Sequence, residues 1–155
     1  MAPEAGMKLR LYLDTSVFSV YYDDRTPDRQ DETKTFWARL NEFEVATSEL
    51  AREELSLTPD AEQRERLLTL LNGIAVHRLT DEMRTLAQRY VSEDVFTPKV
   101  INDAIHVAAA VFTRQDVIIS WNFKHLVNRR RRSKINNINI SLGLPTIEIV
   151  SPPEV

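Results

Sequence analysis

Short apolar runs, each too brief for a helix and each followed by a segment of helical periodicity, recur along this chain. That alternation restricts the fold to a mostly parallel sheet flanked by helices. The first run, Leu9-Arg10-Leu11-Tyr12-Leu13, stops at Asp14-Thr15-Ser16, residues suited to ending a buried strand and capping a helix. A polar stretch containing Pro27 follows, and then Phe36, Trp37, Leu40 and Phe43 recur at helical spacing. Glu44 to Thr47 reads as the second strand. Ser48 caps a helix over Glu49 to Leu57, and Thr58-Pro59-Asp60 opens another with proline in its tolerated first position, closed by Gly73. Ile74 to Leu79 is a third strand, and Thr80-Asp81-Glu82 starts a helix striped by Met83, Leu86, Ala87 and Tyr90. From Lys99 to Thr113, after Pro98, the chain is apolar on most faces, so this helix is expected to be the most buried. Strands at Val117 to Ser120 and Ile147 to Val150 enclose a basic segment and an asparagine-rich stretch, Asn136 to Asn139.

With 155 residues, 43% of them hydrophobic, the chain fills one core, and no repeat or linker divides it. Residues 1–6 lack a secretion signal's basic and apolar regions and read as an appendage to a single domain over 7–155. The absence of cysteine excludes a disulfide framework and a thiolate zinc site, and fits an intracellular, cytoplasmic setting. No apolar stretch approaches the roughly 20 residues that cross a bilayer, so no membrane span is expected. The formal charge is −3, yet Lys124, Arg129, Arg130, Arg131, Arg132 and Lys134 crowd into one acid-free segment. Such asymmetry describes either a local anion-binding surface on an acidic body or a solvated helix face or loop.

In an open parallel sheet, ligands bind beyond the carboxyl ends of the strands, where Asp14 falls. Taken alone, Asp14 is as well explained as a helix cap. Asp103 stands near the start of the apolar helix among Ile101, Ala104 and Ile105, where an unpaired carboxylate is costly and a bound cation would offset the cost. Its plainer role is stabilisation of the helix start. Glu53 and Glu54 lie just over a turn beyond Ser48, so one of them is placed to reach the same mouth, although each is also an ordinary surface acid.

The segments Leu11-Tyr12-Leu13-Asp14-Thr15-Ser16, Ser48-Glu49-Leu50 through Glu54-Leu55, and Asn102-Asp103-Ala104-Ile105-His106-Val107-Ala108 resemble, in order, three acidic motifs of the PIN-domain nucleases, and in particular of VapC-like toxin ribonucleases. The resemblance runs over nearly the whole chain from Met7. It implies a PIN-like α/β domain in which Asp14, Glu54 and Asp103 hold magnesium or manganese for hydrolysis of RNA, with Glu53 or Glu49 as substitutes for the second acid. It also implies a cognate antitoxin and a homodimer as partners. The family's fourth motif, a Ser or Thr, any residue, then Asp, is altered here to Ser120-Trp121-Asn122. Asn122 offers a carbonyl oxygen without charge, so a second metal would bind less well. Asp116 lies a strand's length away and is no replacement.

Around these acids, Thr15, Ser16, Ser120, His106, His125, Lys124 and the run Arg129 to Arg132 are candidates for contact with substrate, the arginines because guanidinium binds phosphate bidentately. Each histidine is equally explained by packing, and Trp121 reads as core. Two rivals fail on the same residues. A haloacid-dehalogenase-type phosphatase needs an acid two positions after Asp14, where Ser16 stands, and Gly6, Gly73 and Gly143 make no phosphate-cradling loop. A catalytically impaired RNA- or protein-binding module stays open on the strength of Asn122.

Overall fold

The computed structural model describes residues 7–155; the appendage inferred for residues 1–6 lies outside them. Five strands, β1 (Arg10–Leu13), β2 (Glu44–Ser48), β3 (Ala75–His77), β4 (Val117–Ile119) and β5 (Glu148–Val150), form one sheet in the order β3-β2-β1-β4-β5. Every pairing is parallel, so the sheet is wholly rather than mostly so. Seven helices connect them: α1 (Thr15–Tyr21), α2 (Pro27–Trp37), α3 (Glu49–Ser56), α4 (Ala61–Thr69), α5 (Asp81–Ser92), α6 (Ile101–Phe112) and α7 (Arg129–Ser141).

The two-residue repeat of the strands divides the core in two. Tyr12, Ile118 and Ile149 face one side, with Tyr90, Ala104, Ala108, Ile135 and other apolar residues of α5, α6 and α7. Leu11, Leu13, Val117 and Ile119 face the other, with Val17, Phe18, Phe36, Ala51, Leu55 and Leu67. Helix α6 has an unbroken buried run from Ala104 to Val111, as its all-round apolar sequence requires.

Several boundaries differ from the sequence reading: β3 is shorter, α4 ends before Gly73, and three further differences have identifiable reasons. Pro27, read as part of a polar stretch ahead of the helical spacing, opens α2, where its missing N–H costs nothing; the helix ends at Trp37, and Leu40 falls in a separate short turn. Pro59 lies outside α4, because the Asp60 side chain accepts from Gln63 N and so makes Asp60 the cap. The asparagine-rich stretch belongs to α7. Asn136 pairs with both backbone groups of Ile147, and Asn139 accepts from Tyr90 Oη and donates to Pro145 O, so these amides fasten α7 to the approach to β5. Among the described residues no helix is long and apolar enough to cross a membrane.

Candidate active site

Because all strands run the same way, their carboxyl ends open together, and β1 and β4, at the centre, define the mouth. Asp14 follows β1 directly and is 4% exposed. One carboxylate oxygen does cap α1, accepting from Ser16 N at 3.1 Å and Ser16 Oγ at 2.5 Å. The other accepts from Ser120 Oγ, just past β4, at 2.9 Å. The helix-cap reading and the site reading therefore describe two oxygens of one group. Burial pushes the Asp14 pKa up, against the charge of His106 and the hydrogen bonds of Ser16 and Ser120.

Glu54 is carried to the mouth by α3, whose start is fixed by Ser48 accepting from Leu50 N. Its Oε1 lies 2.7 Å from His106 Nε2 and accepts from Thr15 Oγ1 at 2.7 Å. Burial opposes ionisation of Glu54, but the hydrogen bond and charge of His106, with Thr15 and Asn102, outweigh it and lower the pKa. Glu53 is exposed, and Glu49 accepts from Leu79 N at 3.5 Å, so neither shares the contacts of Glu54 with His106 and Thr15.

His106 is 2% exposed, on α6 one turn beyond Asp103. Its Nδ1 lies 2.7 Å from Tyr12 Oη, which in turn lies 2.7 Å from Ser48 Oγ. A buried chain thus runs Ser48–Tyr12–His106–Glu54, with the Tyr12 and His106 rings in edge contact at 5.7 Å. With the ionised Glu54 accepting, His106 Nε2 carries a proton. Tyr12 escapes the sequence reading; a polar-tipped aromatic in an otherwise aliphatic buried strand is the available signal.

Asp103 sits in the first turn of α6. Burial raises its pKa; the charges of His106 and His125 lower it, and those of Asp14 and Glu54 raise it. The three acids therefore lie within electrostatic reach of one another. Asn122 Nδ2 reaches Asp103 Oδ2 at a long 3.4 Å, while Asn122 Oδ1 accepts from His125 N at 3.0 Å. The carbonyl expected to be offered to a metal is thus engaged by the backbone, and it is the amide N–H₂ that meets Asp103.

The proposed substrate residues divide. Thr15, Ser16 and Ser120 serve the carboxylates, as described. Arg131 is a strut: it donates to His125 O at 3.0 Å, lies 3.2 Å from His125 Nδ1 and stacks over Phe96. Arg132 donates to Ile149 O at 2.8 Å. Arg129, Arg130 and Lys124 remain exposed.

The donor set suits a hard divalent cation: carboxylate oxygens without thiolate, two of them with proton affinity raised by burial and that of Asp103 also by the charges of Asp14 and Glu54. As the side chains stand, no three histidine or acidic groups are gathered at ligating distance among the described residues. Glu54 is turned toward His106 and Thr15, so ligation by all three acids would require it to swing.

Several solved structures share this fold. A toxin–antitoxin complex from Klebsiella pneumoniae aligns with a TM-score of 0.56 at 18% identity, over 78% of this chain and 93% of that one. The Mycobacterium tuberculosis toxin VapC20, described as cleaving the sarcin-ricin loop, aligns with 0.56 at 16% identity, over 70% and 86%. A DNA-bound VapBC from Salmonella typhimurium aligns with 0.52 at 15% identity, over 93% and 98%. At these identities the likeness is one of fold. No curated protein matches the chain. The model of the PIN domain family matches residues 11–123, from β1 through the loop that carries Asn122, and the chain belongs to that family.

Proposed function

We propose that this protein is a metal-dependent endoribonuclease and the toxin of a toxin–antitoxin pair. The observation that carries the reading is the placement of Asp14, Glu54 and Asp103, from three separate elements, at the carboxyl mouth of the sheet, Asp14 bonded to Ser120, Glu54 to His106 and Thr15, and Asp103 to Asn122. Family membership supports nuclease chemistry, and neighbours that are toxin–antitoxin complexes support an antitoxin partner. A homodimer belongs to the same proposal, as does action in the cytoplasm.

Asp14 and Asp103 would hold magnesium or manganese, joined by Glu54 once it leaves His106. The bound ion supplies a water of lowered pKa and neutralises charge on the scissile phosphate. The protein's own part is positional. Ser16 and Ser120 fix both oxygens of Asp14, and Tyr12 fixes the His106 ring that steers Glu54. Asn122 ties the β4 loop to Asp103. Outer-shell partners of this kind are worth roughly 10–100-fold in metal affinity or activity.

A second reading, a catalytically impaired RNA- or protein-binding module, draws on Asn122, whose amide rather than a carboxylate faces Asp103. Incubating the full chain with single-stranded and structured RNA, with magnesium or manganese and then with excess chelator, separates the two. Cleavage that stops with chelator is expected. Cleavage that persists after chelation overturns the metal mechanism, and RNA bound but never cut supports the module.

A further inference from the structure

The loop after β4 points its side chains in two directions. Asn122 turns to Asp103, while its neighbours Trp121 and Phe123 turn to the first turns of α2. Trp121 is buried, its Nε1 donating to Thr33 Oγ1 at 2.8 Å. Phe123 is different. It is 42% exposed, one of few large apolar side chains so open, although it adjoins the residue that touches Asp103. Its ring meets Trp121 edge-on at 6.1 Å between centroids, so it is braced. The Arg29 guanidinium lies 5.2 Å from the Phe123 centroid and 5.4 Å from that of Trp121. Among the described residues none hydrogen-bonds that guanidinium, so its donors remain open to a ligand.

We propose that Phe123 and Arg29 form a nucleotide subsite beside the acidic mouth, in which an unpaired RNA base stacks on the Phe123 ring and Arg29 binds the adjoining phosphate. This deepens the nuclease reading and rests on it for the class of ligand. An exposed aromatic contributes little to folding; one braced at its edge and paired with a cation is a stacking surface for a base, and single-stranded RNA is the substrate whose bases are free to use it. A duplex, whose bases are already stacked, gains nothing from the ring. The subsite accordingly selects loops, bulges and ends over paired stems. Lys124, exposed like Phe123, is the next residue in the chain.

The test uses the full chain in excess chelator, so that binding is read without cleavage. The probe is a short single-stranded oligoribonucleotide carrying one 2-aminopurine, compared with the same strand bearing an abasic position and with a duplex of equal length. The wild type is expected to quench 2-aminopurine, to bind the intact strand about tenfold more tightly than the abasic one, and to bind the duplex more weakly. Phe123→Ala should lose the quenching and the tenfold preference together, Phe123→Trp should restore both, and Arg29→Gln should lower the magnitude of the salt slope by about 0.7. Thermal melting of Phe123→Ala near that of the wild type excludes misfolding. Phe123→Ala with undiminished quenching and preference overturns the proposal, as does a ring whose loss weakens only antitoxin binding. Cleavage with magnesium then tells the two readings apart: active enzyme with an indifferent Phe123 leaves the nuclease standing without the subsite, and Phe123-dependent binding without cleavage does the reverse.

Discussion

The two ends of the sheet treat their charged groups oppositely. At the amino end, Asp116 accepts from Arg10 N at 2.8 Å, and the Arg10 side chain pairs with Glu44 at 2.9 Å while donating to Thr113 O and Arg114 O at 3.2 and 3.1 Å. Acid meets base there, in the open. At the carboxyl end, Asp14, Glu54 and Asp103 lie at one mouth, and no lysine or arginine pairs with any of them among the described residues; hydroxyls, an amide and His106 hold them instead. Helix α6 spans the difference, with Asp103 in its first turn and the Arg10 guanidinium against the carbonyls just past its last. Charges paired within the fold are structural, whereas on the proposed reading the half-buried and buried carboxylates at the mouth, which have no cation of their own, are arranged for one from outside.

The comparison breaks most visibly at Asp103. Asp103→Asn keeps shape and removes charge, and it should lower metal-dependent cleavage by more than about 100-fold, beyond what losing an outer-shell partner costs. In metal-free protein it should leave stability equal or higher. The pH dependence follows from the shifts. Asp14 and Asp103 have raised pKa values, so over the window above the ordinary carboxylate value the native state holds protons that the unfolded chain has released, and stability falls as pH rises. Glu54, with a lowered pKa, acts in the opposite sense: its contribution is present above the ordinary glutamate value and is lost as pH falls through the folded one. Asp103→Asn should flatten the first slope, and denaturant melts from pH 4 to 8 without metal would read it. An unfolded or fully active variant would place Asp103 with the structural acids.

Asn122→Asp sharpens the contrast by adding a carboxylate where an amide now meets Asp103. One oxygen can still accept from His125 N, as Asn122 Oδ1 does, and the other would face Asp103. Metal affinity and cleavage at low magnesium should rise several-fold, and metal-free stability at neutral pH should fall through repulsion. Calorimetric metal titration of both forms decides it; no tighter binding would mean that the loop's tie to Asp103, not its charge, is what residue 122 supplies.

The strands and the places of the acids are legible in the sequence, because a short continuous apolar run, buried on both faces, and an acid near its end are local patterns. Asp14 follows an apolar run, Glu54 a capped helix start, and Asp103 the turn opened by Pro98. What stays hidden depends on partners far along the chain. His106 as the hinge between Tyr12 and Glu54 joins residues 94 and 52 positions apart. The basic run looks uniform as a sequence, yet Arg131 and Arg132 are turned inward by His125 and Ile149 while Arg129 and Arg130 face solvent, a division made by one helical turn. Nothing local distinguishes Phe123 from Trp121 as the open ring, since exposure of one of two nearby aromatics follows only from where α2 packs.

The split within the basic run gives a smaller effect. Replacing Arg129 and Arg130 with Gln should weaken RNA binding a few-fold and reduce the magnitude of the log-log salt slope by about 0.7 for each phosphate no longer neutralised, leaving the melting temperature unchanged. Arg131→Gln should do the reverse, lowering stability as its bonds to the 124–125 carbonyls and its stacking on Phe96 disappear. Binding titrations over a range of salt concentrations, beside thermal melts, separate the two kinds of arginine.

The smallest effect belongs to the amino end itself, where Arg10→Gln removes the charge that neutralises Glu44. Arg10 and Glu44 side chains are 42% and 53% exposed, so their attraction is screened by water and salt and contributes about 0–1 kcal/mol. The guanidinium also sits against Thr113 O, where a positive charge favours the carboxyl end of the α6 dipole by a further ~0.3–1 kcal/mol. Glutamine keeps length and a donor while removing the charge, and the backbone N of residue 10 can still donate to Asp116, which ties β4 to β1. Stability should therefore fall by about 1 kcal/mol, and the decrease should shrink as salt is raised. Cleavage and metal affinity should not change, because β1 lies between this end and the mouth. A Gln variant of near-native stability but altered metal binding would mean that the charge on Arg10 is felt along α6 at Asp103, and the two ends would then form one electrostatic unit.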